Sequence, residues 1–581
     1  MKIPFKRKLD RLLAKDSGKQ LGWLFTITLL IIFTAILTVR LFFDDGDFSW
    51  EDVVAVFLDP GYALEAGPHY WFRIILAVLS TLVFSALLIS VFTNIFDNIS
   101  ESVKNGERRY RLKGHVIVIG EGGSVPVVVQ TLLDKGKTVV VLSENDPELG
   151  SEAYYYHGSQ TDEEDILSTR PYDAECIYLT GNSSDPNHDA LNLRTLAILK
   201  GAVPATDRKI PCFLSIREQE VKEVFQYMKN ASESGGCGSG LLVNIIDEFE
   251  YYAEQLLVGT DYLPVITSSE DKAARFFIFG SGQVAVSTAV EIAHICHYPS
   301  FTRYGRRTVI TMIDPGIAEC RQSMLAAHPT LFEMSHHASI SGDGVRTEHV
   351  PAPDNDFQDI EWEFVEAGHN GSVPRDIIVS SAKDESTELR ILVCIEDSHQ
   401  AVECALHLPE YARETSRTAL YLNDSDDVIQ LALSTGMYGD ITIFGLANKT
   451  ITDPLMENRL KLGQRVNFIY NKAYVTPPAD SPEDAWYTIS EADKCSSIFC
   501  ACALPLRTKC FDIESDQLSV YEAEHRRWMM SALLMGYKPG PVKNKKRFIH
   551  PDIVPFESLP EEEKDKDKIL IDAIDYILNK D

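Results

Sequence analysis

Two long apolar stretches inside the first hundred residues limit this chain more than any other feature. From Leu21 to Phe43 the sequence LGWLFTITLLIIFTAILTVRLFF runs for 23 residues with Arg40 as its one charge. A helix of that length, at ~1.5 Å per residue, crosses the ~30 Å hydrocarbon core of a bilayer. A second stretch, Trp71 to Phe96, does the same, with Arg73 at its outer edge and Asp97 just past its inner end. Both are expected to be spanning helices. Lys2, Lys6, Arg7 and Lys8 also fit the charged start of a signal peptide. Against that, the apolar run is too long, no small-residue cleavage site follows, and a second span comes soon after.

Charge asymmetry sets an expected orientation. Basic residues precede the first span, and Lys104, Arg108, Arg109, Arg111 and Lys113 follow the second. The connection between the spans carries Asp44, Asp45, Asp47, Glu51, Asp52, Asp59 and Glu65 with no Lys or Arg. By the positive-inside rule both termini are then cytoplasmic and the connection faces outward, as in a multi-pass protein of the cell inner membrane.

That connection is longer than a hairpin needs. Ser49 followed by acids and then apolar residues as far as Leu58 predicts a short capped helix, and Asp59-Pro60-Gly61-Tyr62 breaks it. A short helix with a Gly-containing breaker between two spans suits a re-entrant pore element, because irregular backbone at membrane depth has to line a water-filled path. The negative end of the helix and the Asp59 carboxylate would favour cations there. Selectivity stays open, since T-V-G-Y-G is absent and only Gly61-Tyr62 echoes it. A loop folded on the membrane surface is the alternative.

At 581 residues with a mean hydropathy of -0.09, most of the chain has to be water-soluble machinery. At roughly 150 residues per domain, three or four units are expected. The net charge of -30 argues against a nucleic-acid binder, whose phosphate contacts need basic surface. Eleven cysteines are scattered without C-x-x-C spacing, so they read as reduced thiols and no metal site is expected.

Two Gly-rich turns organise the middle of the chain. His115-Val-Ile-Val-Ile-Gly120-Glu-Gly122 is a strand running into a turn, followed by a helical stretch and by a second strand, Val139–Leu142, that ends at Glu144. That is a β-α-β unit with an acid placed to meet a ribose, though Val125 stands where a third small residue is usual. Phe276-Phe-Ile-Phe-Gly280-Ser-Gly282-Gln-Val-Ala285 repeats the pattern, with Asp314 closing its second strand after an insertion at His297 to Arg307. Cys176–Thr180, Ile391–Ile395 and Ile441–Phe444 read as further strands of two doubly wound sheets. Whether either turn holds a nucleotide is open, because glycines also serve to make a tight strand-to-helix corner.

Taken in order, the spans, the Asp59-Pro-Gly-Tyr62 loop, the linker Asn98 to Glu107, the strand His115–Gly120 and His157-Gly-Ser-Gln-Thr-Asp-Glu-Glu-Asp-Ile-Leu167 resemble the CASTOR/POLLUX-type channels. These belong to the wider group with regulator-of-K⁺-conductance (RCK) domains. The likeness covers roughly the first 450 residues. It implies a homotetramer around one pore, with the soluble domains forming a gating ring that senses ligands and does no catalysis.

Beyond Asp453 the β-α-β rhythm stops. His525, Trp528, Gly536, His550, Pro551, Val554, Pro555 and Leu559 fall in the register of the ryanodine-receptor repeat (RyR) domain, to which this segment is similar. It departs from that pattern at Tyr537, Pro539 and Phe556. The resemblance implies recognition of a nucleotide-derived signal, as in prokaryotic conflict systems. Trp486, Trp528 and Tyr537 could stack a base, and Arg526, Lys545 and Arg547 could pair phosphate, with His525 beside them. The alternatives are core packing for the aromatics and a solvated surface for the basic residues.

The expected architecture is therefore a two-helix pore domain (1–113), two Rossmann-like RCK domains (114–270 and 271–452) and a mainly helical RyR-type domain (453–581). The expected function is a ligand-gated cation channel, potassium among the candidates, acting in antiphage defence. Its partners would be copies of itself, lipids and a nucleotide or NAD-type ligand. Rival readings are a housekeeping NAD(H)-sensing channel and a membrane-anchored oxidoreductase.

Overall fold

In the computed structural model the two apolar stretches form helices Ser17–Phe42 and Tyr70–Lys104. The structure describes residues 17–42, 49–64, 69–147, 149, 152–182, 185–205, 209–218, 221, 240–422, 441–445, 453–513 and 515–578. Lys2, Lys6, Arg7, Lys8, Asp44, Asp45, Asp47, Glu65 and the expected boundary at 452 lie outside the described residues. The chain divides into two compact units, Met1–Arg108 and Arg109–Asp581.

In the first unit both long helices leave their apolar surface bare. Phe25, Leu30 and Phe33 on one and Leu82, Phe84 and Phe92 on the other are more than half exposed. Rows of large apolar side chains on this scale call for lipid or a partner rather than water. The 35-residue second helix is ~52 Å long, well beyond a ~30 Å hydrocarbon core, and its last turns carry Asp97, Glu101 and Lys104. A short helix, Trp50–Leu58, packs between the two through a small core of Ala35, Val39, Val53, Val56, Leu76 and Ala77.

The second unit contains two large sheets, the first all parallel and the second parallel except for one edge strand. In the first, strands β1 (Val116–Glu121), β2 (Val139–Ser143), β3 (Tyr154–His157), β4 (Cys176–Asn182), β5 (Ile210–Ser215) and β6 (Leu241–Ile246) lie in the order β3-β2-β1-β4-β5-β6. Every neighbouring pair is parallel. The Val/Ile run of β1 is buried along almost its whole length, as a strand with both faces covered requires. Strand order reverses between β1 and β4, the switch point at which open α/β sheets leave a crevice.

The second sheet repeats this plan with an addition. Strands β7 (Ala273–Phe279), β8 (Thr308–Ile313), β11 (Ile360–Val365), β12 (Thr387–Val393), β13 (Arg417–Tyr421) and β14 (Ile441–Phe444) give β11-β8-β7-β12-β13-β14. Beyond β11 come β9 (His337–Ile340) and the antiparallel edge strand β10 (Arg346–His349). The insertion after the second Gly-rich turn contains the helix Pro299–Tyr304.

Helices Asp453–Tyr474, Glu491–Cys510, Gln517–Leu534 and Glu561–Asp572 make up most of the C-terminal module. They share one apolar cluster with both sheets, running from Val116 and Phe276 through Leu504 and Met530 to Ile577. The module is thus built into the same core rather than appended to it.

Candidate functional site

The segment between the spans is held by its own polar residues. Ser49 Oγ accepts from the Glu51 N–H at 3.2 Å, and Asp52 Oδ2 accepts from the Ser49 N–H at 2.7 Å, completing a capping box at the start of helix Trp50–Leu58. The helix stops at Leu58 because Asp59 turns extended and Pro60 follows. Asp59 Oδ1 accepts from the Gly61 N–H at 2.9 Å, an Asx turn that winds Pro60–Leu64 into a 3₁₀ turn instead of an extended strand. Tyr62 reaches back to donate to Asp52 Oδ1 at 3.2 Å, with the Arg73 guanidinium 5.4 Å from its ring. Asp59 and Gly61 are left exposed beside the tip of the helix.

At the switch point of the first sheet an open crevice of about 470 Å³ is lined by Gly120, Glu121, Glu144, Gln160, Asn182 and Asp185, among others. Gly120 and Glu144 meet there as the β-α-β pattern predicts, and Gly122 follows in the same turn. Glu121 was not singled out by the sequence reading. Its Oε1 accepts from the backbone N–H groups of Glu144 at 3.0 Å and Asn145 at 3.2 Å. An acid between the two glycines of a phosphate-type turn was the signal that could have exposed it.

The second sheet closes the equivalent corner on itself. Asp314 accepts from the Gly316 N–H at 2.7 Å and contacts His369 Nε2 at 3.0 Å. Burial opposes its charge, but the hydrogen bonds from His369, Gly316 and Ser281 outweigh it and hold the carboxyl below the usual carboxylate range. Gly280 lies against the backbone of Cys394, and a side chain on Gly282 would run into the Glu396 carboxylate. That carboxylate therefore sits at the start of helix Gln283–Ile295, where a bound anion would otherwise go.

In the C-terminal module the predicted residues divide between core and surface. Trp486 is 1% exposed, packed against the close approach of helices Asp453–Tyr474 and Glu491–Cys510. His525 is buried, with Nε2 2.9 Å from the Val554 carbonyl, and stacks on Trp528 with ring centroids 5.6 Å apart. His550 meets the edge of Trp528 at 4.8 Å, and Tyr537 packs on Phe548 at 5.2 Å. Burial pushes His550 down to about 4, helped by Lys543. Arg526 is buried in an ion pair with Asp359 of the second sheet. Lys545 pairs with Asp493 at 2.8 Å, and it and Arg547 are exposed on the loop before the short strand Ile549–His550. Half-buried Trp528 and this basic loop are thus the predicted groups that a ligand could reach.

No protein-family model and no curated protein matches this chain. Among solved structures it is similar to GsuK bound to ADP, with a TM-score of 0.37 and 13% identity over 76% of this chain and 100% of that one. It is similar to the GsuK channel bound to NAD, with a TM-score of 0.38 and 12% identity over 76% and 84%. It is also similar to the human SLO3 gating ring, with a TM-score of 0.33 and 10% identity over 59% and 83%. These superpositions are loose.

Proposed function

We propose that this chain is a subunit of a membrane channel that conducts cations, potassium among them, around a symmetric pore made by copies of itself. The observation that carries the reading is the capped helix Trp50–Leu58, packed between two helices whose apolar faces are bare, with exposed Asp59 at its negative end. A homotetramer in the inner membrane, both termini cytoplasmic, would enclose water with four such helix ends.

Gating in this reading comes from the second unit. A nucleotide-derived signal seated on Trp528 beside Lys545 and Arg547 would open the pore through its higher affinity for the open state. The RyR-type register from His525 to Leu559 supports a sensing role for this module, and opening would dissipate the ion gradients of an infected cell. The reading includes no catalytic step.

Flux through liposomes holding the full chain tests it, with K⁺, Na⁺ and Cl⁻ gradients, with and without ADP-ribose or a cyclic nucleotide. The expected result is cation flux that weakens and loses its preference over chloride in Asp59→Asn. Identical flux and selectivity in that variant would remove the pore assignment.

A further inference from the structure

The turn that echoes a potassium filter is wound the wrong way for one. Backbone selection of potassium needs stacked rings of carbonyl oxygens that replace the water an ion gives up. In the segment between the two long helices those carbonyls are already taken. Asp59 O accepts from the Tyr62 N–H at 3.0 Å, and the 3₁₀ winding of Pro60–Leu64 repeats that i to i+3 bond for the residues that follow. Gly61, which with Tyr62 gives the echo, lies outside the left-handed region, so its backbone makes no use of the freedom glycine offers.

Side chains hold this winding in place. Asp59 Oδ1 accepts from the Gly61 N–H at 2.9 Å, and the half-buried Tyr62 donates its hydroxyl to Asp52 Oδ1 at 3.2 Å. Ala63 is fully buried in the small core that seats helix Trp50–Leu58. Straightening the segment into a ladder of free carbonyls would break both side-chain bonds and pull Ala63 from that core. What the turn leaves outside is the Asp59 carboxylate, exposed at the negative end of the helix. A carboxylate attracts positive charge whatever the bare radius of the ion. One such group from each copy replaces only part of an ion's water, so the shell stays on.

We infer that the pore passes monovalent cations with their water shells, with Asp59 selecting for positive charge and the turn making no distinction between potassium and sodium. The inference rests on the pore reading proposed above and narrows it from cations in general to hydrated cations irrespective of bare radius. Lithium, sodium, potassium and rubidium ions share one charge and differ in a bare radius that the water shell conceals. A carbonyl cage reads that radius because it strips the shell. A turn whose carbonyls bond its own N–H groups reads charge alone, and its opening would run down sodium and potassium gradients together.

Reversal potentials across planar bilayers holding the full chain test this, with Li⁺, Na⁺, K⁺ and Rb⁺ chlorides paired on opposite sides and ADP-ribose added to each side in turn. The permeabilities of these cations should lie within about fivefold of one another. Asp59→Asn should lower the preference for cations over chloride by about fivefold or more while the cations stay within the same range of each other. A K⁺ permeability more than about fivefold above that of Na⁺, or the reverse, overturns the inference and leaves the pore reading standing. An Asp59→Asn chain that newly separates the cations overturns it as well. A chain that passes no cation removes the pore reading and the inference with it.

Discussion

Arg526 Nε lies 3.1 Å from Asp359 Oδ2, joining the middle of helix Gln517–Leu534 to the residue that leads into β11 of the second sheet. The same carboxylate meets His297 Nδ1 at 2.8 Å, and Arg526 Nη2 donates to Thr302 Oγ1 at 2.9 Å. All three charged or titratable groups are buried. Burial disfavours the Asp359 anion, yet His297 and Arg526 hold its carboxyl below the usual range. A shift of helix Gln517–Leu534 on ligand binding therefore has to drag the start of β11 with it or break this triad.

Removing one partner is costlier than removing both, because a lone buried charge has no compensation. Arg526→Ala should lose about 3–5 kcal/mol of stability. The double variant Arg526→Met with Asp359→Asn should lose less than the sum of its two single changes. Denaturant unfolding followed by tryptophan fluorescence reads both. Additive losses would mean that the pair is not coupled.

The two glycines of the second turn should respond differently to alanine. Gly280 has φ +120°, and a Cβ there would come within 2.6 Å of the Cys394 backbone oxygen, which cannot move aside. Backbone strain alone costs about 1–3 kcal/mol in such a position. At Gly282 the obstacle is the end of the Glu396 side chain, which can swing away. Gly280→Ala should lower the melting temperature markedly and Gly282→Ala only slightly. The reverse order would show that the corner is held by Glu396 rather than by the strand contact.

Much of this architecture was legible because apolar periodicity reports burial directly. The two long N-terminal helices, both Gly-turn units and strands β4, β12 and β14 all contain local concentrations of apolar residues. The hairpin of β9 and β10 was not legible, since Arg346-Thr-Glu-His349 on the exposed edge carries no apolar signal. Long-range pairing was hidden too. Arg526 looked available for phosphate from its neighbours in sequence, and nothing local revealed that Asp359, 167 residues away, would take it. Trp486 carried the same ambiguity, as an aromatic residue reads alike in a core and in a pocket. At the breaker, Asp59 and Pro60 signalled the end of a helix correctly, but not that the Asx turn would continue into a 3₁₀ turn.

Glu254 should set the alkaline side of the stability profile. It is buried beside Arg459, with Oε1 2.8 Å from Nη2. Burial pushes its carboxyl up to about 7 against the pull of Arg459, and Glu291 adds to the rise. A carboxyl raised in the folded state takes up a proton on folding. Its contribution is complete below the unfolded value near 4.5 and is lost as pH rises through about 7. Over that window the loss is on the order of 3 kcal/mol. Melting temperatures measured from pH 5 to 8 should fall less steeply for Glu254→Gln than for the unaltered chain. Parallel curves would show that Glu254 does not titrate in this range.

The seat of the short helix between the spans rests on one hydrogen bond that replaces a missing one. Phe57 is in the last turn of helix Trp50–Leu58, and the Gly61 N–H, four residues on, is bound to Asp59 Oδ1. The Phe57 carbonyl instead accepts from Ser80 Oγ at 2.7 Å, and Ser80 is buried on the second span. In the proposed pore arrangement this terminal carbonyl has no water to turn to, so the bond ties the helix end to helix Tyr70–Lys104. Ser80→Ala should cost about 1 kcal/mol, too little to unfold the unit but enough to let the helix end move. Tyr62→Phe, which deletes the donation to Asp52, should loosen the same element from its other side. Single-channel recordings of both variants should show altered unitary conductance or open-time distributions, with the Ser80→Cys variant intermediate because its thiol is a weaker donor. Currents unchanged in all three would mean that this helix end does not border the conduction path.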